Sequence, residues 1–242
     1  MILVFTSSMA ESMENAEKNM PQCVGLIMDG NRRWAKEQGK NSLLGHEAGA
    51  ETFARSVGWL REFGIEHGVY YGFSTENWHR SSEEVDALQS LFKKFITDRF
   101  KTVHEDRVKV RFLGRRTDWS QDLQESMRNL EEESACYGSP TVWMPLSYGG
   151  RAEILDAVNR AIEKGQSIAD EQSFATLLDT ADLPEPDLII RTGGEQRLSN
   201  FLTWHSVYSE LYFTETYWPA FTKEELGRIL GWYGARERRR GR

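Results

Sequence analysis

The densest chemistry in the sequence lies in residues 27–36, Ile-Met-Asp-Gly-Asn-Arg-Arg-Trp-Ala-Lys. An apolar run over 24–28 ends in an acid, a glycine and an amide, and two arginines and a tryptophan follow at once. That order predicts a buried strand that carries the carboxylate of Asp29 to its end, followed by the start of a helix. A helix start with free backbone N–H groups and nearby guanidinium groups attracts anions. A lone carboxylate beside it suits a divalent metal that bridges to a phosphate. The segment therefore points to Mg²⁺ and diphosphate.

Three more polar clusters have the same character: 74–80, 147–151 and 191–200. Arg33, Arg80, Arg191 and Arg197 lie in these loops among glycines and small hydroxyl residues. Arginine offers planar, paired donors to phosphate oxygens. Glycines such as Gly193 and Gly194 let backbone N–H groups come close to an anion. A single arginine of this kind reads as a surface ion pair worth little. Four together imply one polyphosphate or two diphosphates. The sequence has neither GxxxxGK[ST] nor a GxGxxG after a strand, which argues against an ATPase or a dinucleotide enzyme.

The elements that must position these loops alternate. Short β-rich apolar runs occur at 24–28, 69–73, 108–113, 141–146, 188–190 and 211–213. Helical periodicity occupies 46–63, 83–100, 121–135, 151–163, 170–179 and 222–238, with Ser81-Ser82-Glu83-Glu84 capping the second of these. This predicts a single α/β domain, a mostly parallel six-stranded sheet flanked by helices on both faces. In such sheets ligands gather at the carboxyl ends of the strands, which is where all four polar loops fall. The helices at 46–63 and 83–100 carry long apolar stripes. Each alone reads as core packing; beside diphosphate sites, they suggest a substrate with a charged head and an apolar tail.

Composition narrows the rest. The chain has 242 residues and a net charge of −7, which suits one core and excludes a general nucleic-acid coat. Cys23 and Cys136 are far apart and outside metal-ligand spacing, which fits a reducing cytoplasm. No apolar stretch of about 18 residues is available to span a membrane. Residues 1–20 read as a loose extension and 21–242 as the domain. The basic C-terminal tail reads by composition as a solvated helix end.

The motifs MDGNRRWAK (28–36), GHEAGA (45–50), FSTENWHR (73–80), YGGR (148–151) and the long run 191–221 resemble the cis-prenyltransferase family, in order and over nearly the whole domain. The resemblance implies a homodimer, a hydrophobic product tunnel, and Mg²⁺-dependent addition of isopentenyl diphosphate to an allylic diphosphate such as farnesyl diphosphate. The product would be a long-chain polyprenyl diphosphate such as undecaprenyl diphosphate. By match to the family motifs, Asp29 and Glu210 are the metal carboxylates, and Asp29 also serves diphosphate departure. Gly30, Asn31, Arg32, Arg33 and Trp34, with His46, hold the allylic diphosphate. Ser74, Thr75, Glu76, Trp78 and Arg80 line the reaction centre, and Asn77 matches the position tied to proton removal. Arg191, Arg197, Leu198 and Ser199 hold isopentenyl diphosphate. Arg239 and Gly241 match a C-terminal RxG motif that reaches a diphosphate, in some members across the dimer.

Two departures from the family pattern bear on product and primer. Ser42 stands where many members have an arginine, with Lys40 as a less exact substitute. The strand before YGGR contains Trp143 and Pro145. Pro145 removes a ladder donor and suggests an edge or irregular strand. Trp143 would shorten the product if it faces the tunnel, and Gly72 and the 83–100 helix are the other candidates for closing it. A short- or medium-chain synthase, and a non-catalytic partner subunit, are the competing readings. A long polyprenyl product must leave into lipid, which favours peripheral membrane contact.

Overall fold

The computed structural model describes residues 19–236, apart from the side chains of 99–104 and 106. Strands β1 (Cys23–Ile27), β2 (His67–Tyr70), β3 (Phe73–Ser74), β4 (Lys109–Leu113), β5 (Thr141–Tyr148), β6 (Leu188–Arg191) and β7 (Glu210–Phe213) form one sheet. Every pairing in it is parallel. Helices α1 (Asn31–Glu37), α2 (Ser42–Glu62), α3 (Ser82–Asp106), α4 (Gln121–Ser134), α5 (Gly150–Glu163), α6 (Glu171–Ala175) and α7 (Lys223–Gly234) connect and cover it. The sheet runs from β4 through β5, β2, β1 and β6 to β7.

Alternation along each strand sorts the core into two faces. Val24, Leu26, Tyr70, Met144, Leu188 and Ile190 pack against α2, α3, α4 and α7 through Leu60, Ile96, Leu123 and Ile229. Cys23, Val69, Trp143 and Ile189 face the other way, onto Phe201 and Leu202. Ala157, Ala161 and Phe174 of α5 and α6 form a third cluster with Leu177 and Leu178. Both faces are therefore covered, as parallel sheets require.

The sheet has seven strands rather than six because the run at 69–73 divides. β2 pairs with 141–143 of β5, breaks at Tyr71 and Gly72, and resumes as β3 beside Leu146 and Tyr148 with a shifted register. Pro145 sits opposite the break. It has no N–H to give, but its carbonyl accepts from Gly72 N at 3.1 Å. A side chain at Gly72 would come within 2.8 Å of Leu146. β5 is thus an irregular strand, as its proline suggests, yet it is interior and wholly buried, not an edge.

Trp143 lies on the sheet face opposite the α2 and α3 helices and donates its Nε1–H to His67 Nδ1 at 3.2 Å. Ser42 is the exposed first residue of α2, beside the Asn41 cap. Lys40 places its ammonium 4.9 Å from the centre of the Trp34 ring. No helix among the described residues is long and apolar enough to cross a membrane.

Candidate active site

Strand β1 ends at Ile27, and Asp29 emerges just past its carboxyl end. Gly30 takes φ of 105°, a left-handed conformation, and a Cβ there would lie 2.6 Å from Tyr217. Both facts call for glycine. This turn lets the chain enter α1 while the Asp29 carboxylate stays at the rim. Asp29 Oδ1 accepts from Gly30 N at 2.6 Å, and Oδ2 accepts from Arg191 Nη2 at 2.8 Å. Arg33 Nη2 lies 3.2 Å from Oδ1, one helical turn on. Thr192 Oγ1, which accepts from Asp29 N and donates to Asp29 O, clamps the backbone of the same residue. Burial alone would raise the Asp29 carboxyl, but the hydrogen bond and charge of Arg191, the charge of Arg33 and the Gly30 N–H outweigh it. Asp29 therefore ionises below the usual carboxylate range.

The arginines of the other loops meet carboxylates too. Arg197 and Arg33 both face Glu195. Arg80 binds Glu84 at 2.8 Å, and Arg32 and His46 approach the same glutamate at 3.5 and 3.8 Å. His46 Nε2 is buried and, among the described residues, has no partner at hydrogen-bond distance. Burial first, then the charges of Arg80 and Arg32 against that of Glu84, push the His46 pKa down to about 4. Its imidazole is neutral near pH 7. Arg191 Nη1 donates to Ser199 Oγ at 2.8 Å and to Arg197 O at 2.5 Å, so Arg191 also shapes the loop that follows it.

Two adjoining cavities follow these groups. One of about 310 Å³ is bounded by Asp29, Gly30, Asn31, Arg32, Arg33, His46, Arg80, Glu195 and Arg197. The other, about 580 Å³, begins at Asp29, Ser74, Glu76, Asn77, Arg80, Arg191 and Ser199 and continues inward past Gly72, Phe53, Leu88, Leu91, Phe92, Phe95 and Trp218. A cationic cradle thus opens onto an apolar interior between α2 and α3. Trp143 borders neither cavity.

Asn77 holds the loop that it sits in. Its Oδ1 accepts from Ser74 N at 3.0 Å, and the Ser74 side chain accepts from the Asn77 backbone. Five predicted residues border neither cavity: Trp34, Thr75, Trp78, Leu198 and Glu210. Trp78 instead donates to Ser147 Oγ at 2.8 Å and packs with Phe73 and Trp119. Leu198 joins the core under the sheet.

Glu210 is not brought to Asp29 within one chain. It opens β7 opposite Leu188, whereas Arg191 lies three residues on and pairs with Phe213. At about 3.3 Å per residue, that puts Glu210 roughly 10 Å below the rim, where it binds Arg236 at 2.6 Å. Arg239 and Gly241 lie outside the described residues. Sequence reasoning missed Glu84, Glu195, Thr192 and Tyr71. In the sequence Glu84 reads as a helix cap, although its place one turn after Arg80 is a signal.

Among the described residues no three His, Cys, Asp or Glu side chains gather as a metal site. Mg²⁺ commonly takes one or two carboxylates and completes its shell with water and substrate phosphates. Asp29, a carboxylate bordering both cavities, fits that mode.

A family model described as putative undecaprenyl diphosphate synthase matches residues 27–241. The chain belongs to the undecaprenyl diphosphate synthase family. Its relatives in this family include an isoprenyl transferase of Fusobacterium nucleatum, 42% identical over 93% of this chain and 97% of that protein. Another is a tritrans,polycis-undecaprenyl-diphosphate synthase (geranylgeranyl-diphosphate specific) of Methanocaldococcus jannaschii, 43% identical over 93% of this chain and 84% of that protein. A crystal structure of lavandulyl diphosphate synthase from Lavandula x intermedia in complex with dimethylallyl diphosphate superposes with a TM-score of 0.88 at 30% identity, covering 93% of this chain and all of that one. The family is one of cis-prenyltransferases, and the protein is a prenyl transferase.

Proposed function

We propose that the protein condenses isopentenyl diphosphate with an allylic diphosphate, farnesyl diphosphate by preference, in repeated cis additions that yield a long-chain polyprenyl diphosphate such as undecaprenyl diphosphate. One observation carries this reading: the cavity that starts at Asp29, Arg191 and Ser199 runs without interruption to the apolar side chains of α2 and α3. A diphosphate head suits its mouth and a growing prenyl tail suits its interior.

In this reading Arg32, Arg33 and His46 hold the allylic diphosphate in the smaller cavity. Arg191, Arg197 and Ser199 hold the second diphosphate across the rim. Breaking the allylic C–O bond sends its electron pair onto the departing diphosphate, and guanidinium groups already in place stabilise that charge. Binding both substrates in register supplies much of the remaining rate. The isopentenyl double bond gives the electron pair of the new C–C bond, and a proton then leaves the neighbouring carbon. Asn77 is a carboxamide, far too weak a base to take this proton, and its Oδ1 accepts from Ser74 N. The released diphosphate takes the proton, and Asn77 positions the loop. Asp29 would hold Mg²⁺, which would supply further charge neutralisation at the leaving group.

The domain would be 21–242, with 1–20 as an extension, and the working form a homodimer in the cytoplasm, with peripheral membrane contact for product release. Val207, Tyr208 and Leu211 support the dimer: they are 71%, 66% and 39% exposed beside β7, which among the described residues pairs only with β6. Apolar side chains at an unpaired strand edge are the kind that a second copy covers. Two unpaired cysteines fit a reducing compartment.

The test is chromatography of products from radiolabelled isopentenyl diphosphate with dimethylallyl, geranyl, farnesyl and geranylgeranyl diphosphates as primers. Elongation to many isoprene units from farnesyl diphosphate is expected. A product that stops after one or a few additions would favour the short-chain reading, which the likeness to lavandulyl diphosphate synthase keeps in view. No incorporation with any primer would favour a non-catalytic subunit.

A further inference from the structure

Three of the four rim loops converge on Asn200. Its Nδ2 donates to Glu76 Oε1 at 2.9 Å, in the loop after β3. Its Oδ1 accepts from Arg151 N at 2.8 Å, and its carbonyl accepts from Gly150 N at 2.8 Å, both in the first turn of α5. The amide has one donor side and one acceptor side, and each faces a group of the matching kind. Asn200 itself takes φ of 67° and Ser199 φ of 49°, so the turn is left-handed at two successive residues. Asparagine tolerates that conformation better than most residues.

A second observation is independent of those bonds. A Cβ at Gly149 would lie 2.6 Å from Asn200 Nδ2 and 2.6 Å from Thr75 Oγ1. The loops meet too closely at this point for any side chain on Gly149. Tyr71 reinforces the junction by donating to Tyr148 O at 3.1 Å.

We propose that Asn200 is a positioning residue for the second diphosphate, a clasp that holds Ser199 and, through it, Arg191 against the loops of Glu76 and Arg151. The chain of contact is short. Asn200 fixes the turn, the turn places Ser199 Oγ, and Ser199 Oγ accepts from Arg191 Nη1 at 2.8 Å. The arginine that faces Asp29 is thereby set by an amide in the wall of the same cavity. The proposal rests on the reading of Arg191 and Ser199 as the isopentenyl diphosphate site.

Substitutions separate the side chain from the backbone. Asn200→Gly keeps the left-handed turn and deletes the clasp. Asn200→Asp keeps the turn and the acceptor for Arg151 N, but sets a carboxylate against Glu76. Glu76→Gln combined with Asn200→Asp restores a donor–acceptor pair with the roles exchanged. Steady-state kinetics on the full chain with Mg²⁺ and farnesyl diphosphate, and melting curves for each variant, read the outcome. A hydrogen bond to a charged partner is worth enough that Asn200→Gly should raise KM for isopentenyl diphosphate about tenfold. Its kcat and its KM for farnesyl diphosphate should change by less than about threefold, as expected of an uncoupled site. Asn200→Asp should be worse than Asn200→Gly, and the double variant better than Asn200→Asp. An unchanged KM in Asn200→Gly, an equal rise for both substrates, or a double variant no better than Asn200→Asp would overturn the clasp while leaving the function intact. A wild-type protein that incorporates no isopentenyl diphosphate would overturn the reading of function and this proposal with it.

Discussion

Arg191 Nη2 stands 2.8 Å from Asp29 Oδ2, and this contact joins the carboxyl ends of two neighbouring strands, β6 and β1. The Arg191 side chain is only 5% exposed while that of Asp29 is 30% exposed. The buried cation therefore presents the carboxylate to the cavity rather than hiding it. The relation makes Asp29 a stronger acid and fixes where a diphosphate oxygen or a metal can approach.

Removing Arg191 deletes a hydrogen bond and a charge that both lower the Asp29 pKa. In Arg191→Ala the acid limb of kcat/KM against pH should move to higher pH, as Asp29 gains its proton sooner. The sign for stability follows from the same shift. A folded pKa below the unfolded value of about 3.9 adds stability that is present above that value and lost as pH falls through the folded pKa. Arg191→Ala should shrink this contribution. A pH–rate profile with an unmoved acid limb would separate Asp29 from the activity.

His46 behaves in the opposite sense. Its folded pKa is about 4, below the unfolded value of about 6.5. Between those limits the unfolded chain binds the extra proton, so stability should fall as pH drops from about 6.5 toward 4. His46→Gln should flatten that slope in urea titrations. Adding inorganic diphosphate should raise the His46 pKa in an NMR titration, because a nearby anion favours imidazolium. No upward movement would place the anion elsewhere.

Product length should respond to one aromatic and ignore another. Phe95 borders the large cavity and meets Phe53 edge-on at 5.0 Å. Trp143 is on the far face of the sheet. Phe95→Ala should lengthen the products seen by chromatography, whereas Trp143→Phe should leave their distribution as it is. A shifted distribution in Trp143→Phe alone would relocate the tunnel.

The exposed patch at Val207, Tyr208 and Leu211 should be covered by a second copy. Tyr208→Glu places a charge there, and light scattering should show a monomer where the wild type is a dimer. A wild type that is monomeric at micromolar concentration would remove the dimer from the account.

Much of this site was legible because the chemistry lies where strands end. The switch from apolar run to polar loop at Asp29, Ser74, Ser147 and Arg191 marks the rim, and parallel topology does the gathering. Trp143 was ambiguous because either face of an all-buried strand reads alike; β5 is buried at every position. The break at Gly72 was invisible because it depends on Pro145 of a neighbouring strand. Glu210 sits nineteen residues past Arg191 in sequence, yet register rather than spacing decides its height, and the pairing with Leu188 sets it at the opposite end of β7. Glu195 leaves no periodic trace because its contact with Arg33 joins two distant segments, whereas Glu84 carries an i,i+4 signal with Arg80 that the helix-cap reading hides.

The most direct measurement is turnover of isopentenyl diphosphate by Asp29→Ala beside the wild type, with farnesyl diphosphate and Mg²⁺, on proteins whose melting temperatures and circular dichroism are compared first. The account predicts a folded variant whose kcat is lower by about a thousandfold or more, the scale set by losing a group that stabilises transition-state charge. A folded Asp29→Ala that elongates at a rate near that of the wild type would contradict it.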